Sequence, residues 1–195
     1  MHKFFITCIF CLMNSMMAEA ATVNVVPSTN SVANSNTFSV LVSGVGLPET
    51  GGATLGLTFD ASIIHVTGMS LAQGSPFDTL IPTSFDNVGG QVERISLLAP
   101  VTGTLPSGGF NAFSIDFLAV GSGYSAISLI DDVADGVINA GDYKGWVGAD
   151  FSLIMDITYN QGGVTVVPLP AAAWLFVSAV GVLGFGVKRR KLKCA

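Results

Sequence analysis

Cysteine is absent from the whole middle of this 195-residue chain, since Cys8, Cys11 and Cys194 all lie in the terminal segments. The body from Ala21 to Val167 therefore forms no internal disulfide and offers neither a thiolate nucleophile nor a Cys-ligated metal site. Histidine is nearly absent too, because the body holds only His65. A zinc site of several histidines is thus excluded within one copy, and a Ser-His-Asp triad would have a single candidate base with no Gly-x-Ser-x-Gly turn to serve. Positive charge is equally scarce: Arg94 and Lys144 stand against twelve acids, giving the body a formal charge of −10. With no basic patch to neutralise phosphates, nucleic-acid binding is excluded. Charged residues make up only 11% of the chain against 50% hydrophobic, and the mean hydropathy is +0.62. Aliphatic residues and Phe recur throughout the body, so it does not read as disordered.

What is present divides by position. The formal charge of −5 sums a neutral start (Lys3, Glu19), the −10 body and a +5 end. Residues 1–20 read as a secretory signal peptide: Lys3 opens it, residues 4–13 are apolar apart from Thr7, and Ala18-Glu19-Ala20 supplies a small-x-small cleavage pattern. Ten apolar residues make about 15 Å of helix, too short for a bilayer core of about 30 Å. At the other end, Val167-Pro168-Leu169-Pro170-Ala171 leads into residues 171–187, which carry no charge, and then into Lys188, Arg189, Arg190, Lys191 and Lys193. That apolar run reaches about 25 Å as a helix, enough to span a bilayer when its flanks snorkel. Trp174 suits the outer interface and the basic cluster the cytoplasmic side, which leaves the body outside. By composition alone, this end is an ordinary membrane anchor. Pro168 and Pro170 deny the helix a start and hold the preceding chain extended.

The order of motif, apolar helix and basic tail resembles the PEP-CTERM sorting signal, in its VPLPA variant, over residues 167–195. The resemblance implies recognition, and cleavage near the proline motif, by a membrane-embedded protease of the exosortase type. It implies transient anchoring through the C-terminal helix, then release to the surface or matrix of a Gram-negative bacterium that makes exopolysaccharide. The sequence departs from the commoner Pro-Glu-Pro form of the motif.

The body, residues 21–166, shows no long helical period. Its twenty Gly and six Pro, counted to Val167, separate short runs rich in Val, Ile, Thr and Phe. Strands are expected over 22–26, 37–43, 54–59, 63–71, 91–98, 110–120, 126–130, 153–158 and 163–167. In Phe113-Ser114-Ile115-Asp116-Phe117 the alternation points Phe113, Ile115 and Phe117 inward and Ser114 and Asp116 to water. Short strands with regular turn signals make the fold class all-β, a sandwich or jelly roll. Two segments add a resemblance. Leu55-Gly56-Leu57-Thr58-Phe59-Asp60, running through a short turn into Ile63-Ile64-His65-Val66, is similar to a cohesin strand pair, as is the 110–120 strand followed by Gly121-Ser122-Gly123 and residues 126–130. This resemblance implies a jelly-roll sandwich of about nine strands, related to carbohydrate-binding modules. Some cohesins bind dockerins.

Three candidate sites remain. His65, on the strand face opposite Ile64 and Val66, reads as a surface or half-buried side chain and not as a catalytic base. The acidic run from Asp131 to Asp142 partly fits a calcium loop, with Asp131, Asp135, Asn139 and Asp142 at ligand positions, although Val133 stands where an oxygen ligand belongs. The bland reading of the run is an acidic surface loop. Among the amphipathic aromatics Tyr124, Tyr143, Trp146 and Tyr159, the pair Tyr143 and Trp146 is spaced to stack on a sugar, against core packing as the commoner use of Trp. The sequence thus reads as a non-enzymatic, exported surface or matrix protein without an essential cofactor. Its expected partners are an exosortase-type protease and either exopolysaccharide or a surface protein. A carbohydrate-binding module is the alternative, with a glycan hydrolase or a plain membrane-anchored protein behind it.

Overall fold

The computed structural model describes residues 20–82, 84–131 and 145–168. Among these residues there is no helix. Thirteen strands form: β1 (Thr22–Pro27), β2 (Ser31–Ala33), β3 (Thr37–Leu47), β4 (Thr50–Thr58), β5 (Ile64–Leu71), β6 (Thr79–Pro82), β7 (Phe85–Asp86), β8 (Gln91–Leu98), β9 (Gly108–Ala119), β10 (Gly123–Ile130), β11 (Gly145–Gly148), β12 (Thr158–Asn160) and β13 (Gly162–Val167). The all-β expectation holds, and the long strands fall where the Val/Ile/Phe runs placed them. One expected strand does not form. Phe151 and Asp156 take positive φ (62° and 64°), which breaks extended backbone, so within 153–158 only Leu153 bridges Val147 and pairing resumes at Thr158. The strands absent from the sequence reading (β2, β6, β7, β11 and β12) are two to four residues long, too short for alternation to show.

Two sheets face each other. One runs β12-β1-β3-β9-β5, and the other runs β2-β13-β10-β4-β8-β6, with β11 on β4 and β7 on β8. Two strand tracks are split. β10 pairs with Gly56–Thr58 of β4, and β11 continues along the same edge of β4 from Thr54 to Thr50. β10 and β11 thus lie on one line in the sheet. In the same way β6 and β7 share a line along β8.

The core lies between the inner faces. Phe113, Ile115 and Phe117 of β9 are buried, Ser114 is half-buried and Asp116 exposed, as period two requires. Two aromatic groups sit toward the two ends of β9. Phe117 stacks on Phe38 at 5.4 Å and meets Phe59 edge-on at 5.7 Å. Seven residues away, roughly 24 Å along the strand, Phe110 joins Phe77 (5.3 Å) and Trp146 (5.8 Å). Ring pairs at these separations are favourable beyond the area they bury.

Candidate functional site

Two turns and one strand build an open surface cleft. Residues 59–63 carry the chain from β4 across to β5, and residues 87–90 join β7 to β8. The two are tied together, because Phe59 N–H donates to the Gly90 carbonyl (2.9 Å) and Gly90 N–H to the Asp86 carbonyl (2.9 Å). Gly90 has φ +74°, and a Cβ there would stand 2.3 Å from the Phe59 carbonyl oxygen, so glycine is required on both counts. The Asp60 carboxylate accepts from the Ser62 hydroxyl (2.6 Å) and the Ser62 N–H (2.9 Å). These two bonds hold its carboxyl below the usual carboxylate range. Beneath it, the buried Ser125 hydroxyl accepts from Asp60 N–H (3.0 Å) and donates to the Ala126 carbonyl (3.2 Å). Asp86 likewise accepts from the N–H groups of Gly89 (2.8 Å) and Val88 (3.0 Å), which lower its carboxyl too.

Facing these turns is the outer surface of β10, which presents Tyr124, Ala126 and Ser128. Between them lies an open cleft of about 690 Å³, walled by Thr58, Asp60, Ser62, Val88, Tyr124 and Ser128 among others. Tyr124 is 62% exposed and Val88 94% exposed. The tyrosine lies along the sheet instead of projecting from it. Its diagonal neighbour on β13 is Gly163, where a Cβ would fall 2.2 Å from the Tyr124 hydroxyl oxygen and 2.6 Å from Cζ. A glycine there leaves the backbone surface free for the ring, while the ring's outer side stays open to solvent. Tyr124 was one amphipathic aromatic among several in the sequence. The signal that sets it apart is Gly162-Gly163 inside a strand, where a neighbouring side chain needs room.

The other expected site residues separate. Trp146 is fully buried between Phe77 (6.0 Å) and Phe110, so its ring presents no face to a sugar, and the expected stacking role is corrected to core packing. Its partner in that expectation, Tyr143, lies outside the described residues, as do Asp135, Asn139 and Asp142 of the acidic run. Asp131 is described, and its Oδ2 accepts the Tyr159 hydroxyl at 2.5 Å. Burial, then the bond to and charge of Asp131, push the Tyr159 hydroxyl above the ordinary tyrosine range. Among the described residues, Trp146 Nε1 reaches no hydrogen-bond partner. Among the described residues, no group of three or more His, Cys, Asp and Glu is placed to hold a metal. His65 is half-buried on β5. Of the terminal motif, Val167 closes β13, paired with Ala33, and its carbonyl accepts from Asn34 N–H (3.0 Å); Pro168 follows, exposed. Leu169, Pro170, Ala171, the apolar run and the basic tail lie outside the described residues, as do residues 1–19. Among the described residues no helix is long and apolar enough to cross a membrane.

The architecture defines the class: an all-β sandwich of cohesin-like fold. No protein-family profile matches the chain, and no curated protein matches it. Solved structures do. The cohesin module of a family 33 glycoside hydrolase from Clostridium perfringens aligns with a TM-score of 0.58 at 13% identity, covering 77% of this chain and 98% of its own. The third ScaC cohesin of Acetivibrio cellulolyticus, solved in complex with the ScaB dockerin, gives 0.55 at 17% identity over 75% and 99%. A non-cellulosomal cohesin from the archaeon Archaeoglobus fulgidus gives 0.53 at 17% over 80% and 96%. At these identities the likeness is one of fold.

Proposed function

We propose that this protein is a non-catalytic binding module displayed outside a Gram-negative cell, delivered by a signal peptide and released by an exosortase-type protease acting on its C-terminal signal. The observation that carries the reading is the way the parts meet. One cohesin-like sandwich accounts for nearly the full length of the cohesin modules it resembles, and it ends at Val167, where the sorting motif begins. Support for a non-catalytic role comes from the sequence, whose body has no cysteine and one half-buried histidine. Among the residues that line the cleft the single carboxylate is Asp60, with no second acid or base facing it as paired proton transfer requires. Association with a surface protein or with exopolysaccharide is then the body's work.

Export and release are tested in the host by deleting the exosortase-type protease. The protein is expected to move from the medium or cell surface to the inner-membrane fraction, and Pro168→Ala with Pro170→Ala is expected to do the same in an intact host. Unchanged distribution in both strains contradicts the sorting part of the reading.

A further inference from the structure

The cleft beside Tyr124 supplies a ligand class for the body. A sugar ring has one apolar C–H face and a rim of hydroxyls, and its complement is a flat aromatic surface edged by hydroxyls and an acceptor with a free lone pair. Tyr124 lies along the sheet over Gly163 with its outer side open. Around it stand the side chains of Thr58, Ser62 and Ser128. Asp60 adds an acceptor: its Oδ1 holds the turn, and its Oδ2 takes no hydrogen bond among the described residues. The exposed Val88 gives a second apolar contact across the opening. The wall is preorganised, because the Ser125, Phe59–Gly90 and Asp86 hydrogen bonds fix both turns before any ligand arrives. Its volume is in the range of about 300–1,000 Å³ common to ligand sites, and its open form admits a chain passing through.

We propose that this cleft binds an uncharged saccharide unit of a polysaccharide, stacked on Tyr124 and hydrogen-bonded to Asp60 and the neighbouring hydroxyls. Charge selects among glycans. Asp60 and Asp86 are both turn carboxylates held ionised, in a body of formal charge −10, so a uronate is repelled. The inference rests on the reading of the body as a binding module and does not depend on export or cleavage.

The test is affinity electrophoresis of the full-length protein in a zwitterionic detergent without a sugar headgroup. The gels contain soluble β-glucan, xylan or galactomannan, with alginate as the polyuronate. Retardation is expected in at least one neutral polymer and not in alginate. Tyr124→Ala is expected to weaken it by about tenfold or more, while Tyr124→Phe, which keeps the ring, stays near wild type. Should Tyr124→Ala also lower the unfolding midpoint, the exposed-site variant Ala126→Arg, which fills the cleft and leaves the ring, must weaken binding equally. No retardation in any neutral polymer, or retardation untouched by both variants, overturns the saccharide site and leaves the binding-module reading standing. Shortening of a polymer during the assay overturns that reading itself, and this inference with it.

Discussion

Trp146 sits in the short run Gly145-Trp146-Val147-Gly148, a setting that reads as loop, yet it is the largest fully buried side chain among the described residues. It fills the end of the core opposite Phe38 and Phe117, in contact with Phe77 and Phe110. Trp146→Ala is therefore expected to cost about 3–5 kcal/mol, measured by urea denaturation, through the lost burial and the cavity left behind. A near-neutral effect would return Trp146 to the surface. Tyr159 adds a dependence on pH. Its hydroxyl is raised by burial and by Asp131, so the folded state holds this proton more tightly than the unfolded state, where tyrosine titrates near pH 10. The stabilisation is complete below about pH 10 and is lost as pH rises toward the folded value. Between about pH 9 and 11 the denaturation midpoint of wild type is expected to fall, and that of Tyr159→Phe to fall less steeply. Parallel curves would show that this hydroxyl is not coupled to folding.

At the scale of elements, the β5 edge is closed by a side chain. Asn87, from the β7–β8 turn of the opposite sheet, accepts from Val66 N–H (2.8 Å) and donates to the Val66 carbonyl (2.9 Å), as a neighbouring strand would. It joins the two sheets where β5 would otherwise offer unpaired groups to another chain. Asn87→Ala is expected to lower stability by about 1–2 kcal/mol and to increase concentration-dependent association in sedimentation velocity. Loss of stability without association would limit Asn87 to a local hydrogen-bonding role. Nothing in the Asn87-Val88-Gly89-Gly90 run distinguishes such a clamp from an ordinary turn. The long strands were legible in the sequence, because half-buried segments such as β9 must alternate. The split tracks were not: β7 is two residues long, and β11 carries glycine at both ends. The failed strand over 153–158 has apolar residues in the right number, but backbone reversal at Phe151 and Asp156 overrides them. The cleft was legible only in parts. Asp60 and Tyr124 are far apart in sequence, and only the return of β10 along β4 brings them to one surface.

At the scale of the whole molecule, the sandwich extends to Val167, the first residue of the proposed sorting motif. Val164 and Val166 are buried, and the Val167 carbonyl is bonded to Asn34, so the last strand of the core runs up to Pro168. Cleavage before Val164 would strip a core strand, whereas cleavage beyond Pro168 leaves the sandwich whole. The charge divides at the same place. Residues 21–167 carry about −10 against −5 for the full chain, so the proposed removal of both ends would leave a strongly acidic domain that disfavours acidic ligands. The central claim, an exported sandwich freed from a temporary anchor, is tested most directly by intact-mass spectrometry of the extracellular protein. The predicted species begins at Ala21, ends at or after Pro168 and lacks Lys188, Arg189, Arg190, Lys191 and Lys193. A surface-located protein that still carries this basic tail would contradict it and leave a permanent membrane anchor.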